Sequence, residues 1–122
     1  MNTSQIIRPL QSSIVRIYSN SSTIVGNGFL VEEKIILTCA HVVADALGVN
    51  RDTIEMPHQR VRLDFPFSGT RQLLEARIVF WNPVRPNQFA EDIAGFELLE
   101  DLPPNTAQPA RLVDSNNLLN HP

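Results

Sequence analysis

The chain has 122 residues, enough for one domain with one core, and 43% of them are hydrophobic, which excludes disorder throughout. The net charge is −3 and the ten lysines and arginines are scattered, so no basic stripe exists to track a phosphate backbone and nucleic acid is not the expected partner. A single cysteine, Cys39, excludes an intramolecular disulfide and points to a reducing compartment, and no run approaches the ~20 apolar residues that span a bilayer.

The N-terminus, Met1 to Leu10, lacks a basic stretch followed by an apolar run, so no signal peptide is visible and a cytoplasmic chain is expected. Residues 1–12 are polar, include Pro9, and read as a mobile lead-in. Ser13 to Ser19 alternates and predicts a first strand, and Asn20-Ser21-Ser22 predicts a turn. Thr23 to Val31 predicts a second strand, with Gly26 and Gly28 inside it. Glycine weakens a strand, so two of them predict a bulge, a sharp bend or a close backbone approach. Glu32-Glu33-Lys34 predicts a solvated hairpin turn, and Ile35 to Cys39 a third strand.

His41 to Leu47 has helical spacing over little more than a turn, stopped by Gly48. A polar loop follows. In Arg60 to Phe65, Val61, Leu63 and Phe65 share one face and Arg60, Arg62 and Asp64 the other, which is the pattern of a half-buried strand. Leu73 to Trp81 predicts a longer strand with Leu74, Ala76, Ile78 and Phe80 inward and Trp81 at a rim. A proline-rich loop from Asn82 to Asn87 leads to Asp92, and Ile93 to Leu99 predicts the sixth strand. Six short strands with hardly any helix predict an all-β fold: a single six-stranded antiparallel β-barrel over residues 13–102, with a short helical turn after the histidine. From Pro103 to Pro122 the pattern fades, and this stretch reads as a linker.

Two stretches carry chemistry. The first runs Gly26-Asn27-Gly28-Phe29-Leu30-Val31 and then Leu37-Thr38-Cys39-Ala40-His41-Val42-Val43. A histidine where a buried strand meets a helical turn is held rigidly, yet its ring lies at the edge of the core, which is the placement a general base needs. The second is Asp92-Ile93-Ala94-Gly95-Phe96-Glu97-Leu98, an aspartate at the mouth of an apolar strand, 51 residues after His41. Together these motifs resemble the trypsin-like (chymotrypsin-fold) serine proteases, from about Ser13 to Leu99. The resemblance implies the N-terminal barrel of that family. His41 is then the general base, Asp92 orients it, and the reaction is peptide-bond hydrolysis through an acyl-enzyme.

The family's third motif, Gly-Asp-Ser-Gly-Gly, appears nowhere in the chain. Ser68 has no Gly-Asp before it, and Ser115 has no glycines around it, so neither is assigned as nucleophile. The expected protein is therefore a truncated trypsin-like endopeptidase, inactive by itself and completed by an absent second barrel that would also build the peptide pocket. The alternative is a non-catalytic, protease-like interaction module. Leu112, Val113, Leu118 and Leu119 have no evident receiver within the chain, so a protein partner at an exposed barrel face is expected. No cofactor is expected. No metal is expected either, because His41, His58 and His121 share no ligand spacing and one cysteine offers no pair. Cys39 is expected to be buried packing.

Overall fold

A computed structural model describes residues 11–69, 72–83 and 92–103. The strands are β1 (Ile14–Tyr18), β2 (Ile24–Glu32), β3 (Ile35–Thr38), β4 (Val61–Asp64), β5 (Leu74–Asn82) and β6 (Ile93–Leu98). A helix, α1 (Ala40–Leu47), follows β3. All pairings are antiparallel, and the order β1-β2-β3-β6-β5-β4 closes into a barrel as β4 returns to β1. The expected six-stranded barrel with a short helix after the histidine is the fold observed. Closure removes free sheet edges, so every strand has two neighbours.

Period-2 alternation turns Val15, Ile17, Leu30, Ile36, Leu63 and Phe96 into the barrel, where each is fully buried. The helix adds Val43, Ala44, Ala46 and Leu47 to the buried set and packs against β1, β2, β4 and β6. It stops at Gly48, whose φ of 71° and N–H bond to the Ala44 carbonyl form a left-handed C-cap.

The two glycines of β2 mark close approaches. A Cβ on Gly28 would lie 2.8 Å from the Leu37 carbonyl oxygen of the neighbouring strand. A Cβ on Gly26 would lie 2.7 Å from both methyl groups of Val42 on α1. Residue 26 therefore has no side chain because the helix that carries His41 sits against it. Bulges also occur in β2, in its pairing with β1 and again with β3.

Two expectations about facing are corrected. Phe80 was expected inward, but it is 48% exposed. The register between β5 and β6 shifts between Ile78 and Phe80, and this bulge moves the following side chains to the opposite face. Asp64 was expected on the polar face of β4, yet it is only 2% exposed. Its carboxylate accepts from Arg16 Nε (2.9 Å), Arg16 Nη2 (2.6 Å) and the Tyr18 hydroxyl (2.9 Å), all from β1. This ion pair makes burial of the charge tolerable, and the hydrogen bond to Asp64 holds the Arg16 guanidinium above its usual range against the opposing effect of desolvation. Trp81 is half-buried against the core and donates its indole N–H to the Thr53 carbonyl (2.8 Å), consistent with a rim position.

Candidate active site

The pairing of β3 with β6 sets the site. Thr38 lies opposite Ala94, and Thr38 Oγ1 donates to the Asn27 carbonyl (2.7 Å), which ties the end of β3 to β2. Antiparallel register carried two residues further sets Ala40 against Asp92, and the Ala40 N–H donates to the Asp92 carbonyl (3.3 Å). The chain then turns into α1.

A helix begins with N–H groups that have no intrahelical partner. The N-cap residue is Cys39, with φ −79° and ψ 139°, and its side chain makes no capping bond. The carboxylate of Asp92 does that work from the neighbouring strand: its Oδ1 accepts the backbone N–H of His41 (2.8 Å). Its other oxygen, Oδ2, pairs with Nδ1 of the same residue's ring. One aspartate thus caps the helix and orients the imidazole. The negative charge at the helix N-terminus is itself favourable.

With a carboxylate at Nδ1, that nitrogen carries the proton and donates it. Nε2 is left as the acceptor. The His41 side chain is 35% exposed and that of Asp92 25%, so a reactant reaches the ring while water has limited access to the carboxylate. The expected proximity of His41 and Asp92 is present. One turn along α1, Asp45 pairs with Arg51 (2.9 Å). The Arg51 hydrogen bond holds the Asp45 carboxyl below the usual carboxylate range, and Asp45 in turn holds Arg51 above its own.

Cys39 departs from expectation, for it is exposed. The strand ends at Thr38, so period-2 alternation no longer governs the next residue, and the helix start turns its side chain outward. Its Sγ, a His41 ring nitrogen and an Asp92 carboxylate oxygen all lie within 4.8 Å of one another. Histidine-to-histidine and cysteine-to-cysteine spacings carry no sign of this mixed set, which β6 brings together across the barrel.

Ser68 is 3% exposed and its Oγ donates to the Phe65 carbonyl (2.8 Å), consistent with a turn role. Ser115, His121 and the tail leucines lie outside the described residues, and His58 is exposed in the loop before β4. A cleft of about 430 Å³ lies away from His41, lined by Arg16, Tyr18, Ser22, Asp64, Pro66 and Leu73. The Asp64 carboxylate in it is already engaged by Arg16 and Tyr18.

A closed six-stranded barrel with a histidine on the helix after β3 and an aspartate opening β6 is one half of a chymotrypsin-fold protease. The chain belongs to the trypsin-like peptidase family, whose domain it matches over residues 26–121. Among solved structures, the serine endoprotease from Yersinia pestis aligns over 87% of this chain and 31% of its own, with 21% identity and a TM-score of 0.55. Neuropsin, a serine protease expressed in the limbic system of mouse brain, aligns over 84% of this chain and 43% of its own, with 15% identity and a TM-score of 0.51. These likenesses show the fold, and the chain spans less than half the length of either structure. No curated protein matches it in sequence.

Proposed function

We propose that this barrel supplies the base-bearing half of a trypsin-like serine endopeptidase. His41 is the general base and Asp92 the group that orients it. The observation that carries this reading is the pairing of the Asp92 carboxylate with His41 Nδ1, on a backbone that the same carboxylate pins through the His41 N–H. A serine hydroxyl is a weak nucleophile at neutral pH, and attack on a peptide carbonyl requires a base to take its proton. His41 Nε2 is placed to accept that proton and later return it to the leaving amine. Asp92 fixes the tautomer and stabilises the imidazolium that forms between the two steps. The nucleophile, the oxyanion donors and the pocket that reads the peptide side chain would come from a second barrel.

The chain alone is then expected to be silent towards fluorogenic peptides and a fluorophosphonate probe, which labels an activated serine. In a protein that joins this barrel to a serine-bearing one, His41→Ala abolishes turnover. Asp92→Asn lowers kcat by about 10⁴-fold, because it favours the wrong tautomer. Probe labelling of the chain alone that vanishes in His41→Ala would mean that one of its own serines is the nucleophile. Full turnover in the joined His41→Ala protein would remove the base assignment altogether.

A second reading, a protease-like interaction module, has support from the outer face. Phe29, Phe80 and Ile93 are 48%, 48% and 37% exposed, and the ladder places Phe29 and Phe80 in one row with Leu37 and Gly95 across β2, β3, β6 and β5. Such a row favours a protein neighbour. The two readings differ in whether the completed protein cleaves peptides. A cytoplasmic location remains part of the proposal and rests on the single, unpaired cysteine.

A further inference from the structure

We infer that Cys39, His41 and Asp92 form a three-ligand site for a thiophilic divalent cation of the zinc type, and that occupation of this site withdraws His41 from use as a base. The inhibitory consequence rests on the catalytic reading above, whereas the binding itself does not. Three observations carry it. First, a thiol sulfur, an imidazole nitrogen and a carboxylate oxygen converge within 4.8 Å. These are the three donor types that zinc takes from proteins, and a tetrahedral ion bound at about 2.0–2.3 Å requires donors roughly 3.3–3.7 Å apart. An ion at this point draws the Cys39 sulfur in and parts the His41 Nδ1–Asp92 Oδ2 pair, which are in direct hydrogen-bond contact without it.

Second, the side chain best able to rotate is the sulfur. Cys39 is exposed and makes no cap bond, although it occupies the N-cap position, where a side chain commonly bonds to the helix backbone. The other two donors are held in place by backbone: Ala40 N–H to the Asp92 carbonyl, and His41 N–H to Asp92 Oδ1. The backbones of two donors are thus fixed, their side chains need only part from each other, and the third donor is adjustable, which makes a partly preorganised site. Third, all three groups lie at the surface, so an ion has an entry path and a fourth position remains for water, as in open zinc sites.

The proton balance is simple. Cys39 loses its thiol proton to solvent when sulfur binds the cation. His41 Nδ1 gives up the one proton of the neutral ring to take the metal, and a proton returns to the ring from solvent on Nε2, so the imidazole stays neutral and only the thiol proton is released overall. That nitrogen then no longer accepts a proton from a hydroxyl, so the occupied site is catalytically silent.

The test uses the purified 122-residue chain and zinc ions alone. Equilibrium dialysis should give one zinc per chain. Cys39→Ser should weaken binding by at least ~10-fold, the scale on which loss of even a supporting group is felt at metal sites. Because Cys39 is exposed, its fold is retained, as far-UV circular dichroism would verify. Cobalt in place of zinc should show a sulfur-to-metal charge-transfer band that Cys39→Ser abolishes, and His58→Ala should change neither readout. Absence of binding at zinc concentrations that saturate open protein sites, or an affinity unchanged in Cys39→Ser, overturns the inference. Neither result bears on His41 as a base, which the joined-barrel kinetics test separately.

Discussion

Gly26 and Val42 should be energetically coupled, because the structure places the missing side chain of one against the methyl groups of the other. A Cβ at residue 26 would lie 2.7 Å from both Cγ atoms of Val42, and Val42 is itself 7% exposed, with little room to withdraw. Overpacking of this kind costs about 1–3 kcal/mol. Replacing a strand glycine with alanine returns roughly 0.5–1 kcal/mol of backbone entropy. Gly26→Ala is therefore expected to destabilise by about 0.5–2 kcal/mol. Val42→Ala removes two buried methyl groups at ~0.8 kcal/mol each and leaves a small cavity, for a loss of about 2 kcal/mol. In the double variant the new methyl enters the space that Val42 vacated. It should be more stable than Val42→Ala alone, with a coupling of about 1–2 kcal/mol between the two sites. Urea melts of the four proteins measure this directly, and each kcal/mol should also move Tm by about 4–8 °C for a domain of this size. If Gly26→Ala destabilises the Val42→Ala background as much as it does the parent, the helix does not press on β2 at this point. The position of α1, and of His41 on it, would then not be set by this contact.

The double role of Asp92 predicts that Asp92→Asn retains most of the stability, since its amide oxygen still accepts the His41 N–H, whereas Asp92→Ala loses about 0.5–2 kcal/mol in chemical denaturation as an uncapped helix would. Asp64→Ala strands the Arg16 guanidinium and removes one acceptor of the Tyr18 hydroxyl. Breaking a fully buried pair costs about 3–5 kcal/mol, but the Arg16 side chain is 33% exposed and regains water, so about 2–3 kcal/mol is expected in urea melts. The Asp45 carboxyl is held low by Arg51, so its contribution to stability is present above the ordinary carboxylate range and is lost as pH falls through the depressed value. Parent and Asp45→Asn should accordingly differ slightly in Tm at neutral pH and converge in strong acid. A gap that widens towards low pH would contradict that sign.

Composition and period by themselves determine much of this protein. Alternation in Ser13–Ser19, Arg60–Phe65 and Ile93–Leu99 located strands because a half-buried sheet imposes its period on local sequence. His41 and Asp92 were legible for a related reason: a histidine at a strand end and an aspartate at a strand mouth leave compact motifs. Tertiary structure decided the rest, since it depends on what lies across the barrel. Asp64 reads as a surface charge until β1 brings Arg16 and Tyr18 to it. Phe80 reads as core until a bulge in the β5–β6 ladder turns it outward. Cys39 reads as packing until its strand ends one residue early and becomes the first turn of a helix. The glycine at 26 could signal a bulge, a bend or a contact, and only the position of Val42 on α1 selects among them. Local pattern fixes which way a side chain faces while an element stays regular. Where the element ends or slips register, the neighbour across the barrel decides, and that neighbour can be 51 residues away, as it is for His41 and Asp92.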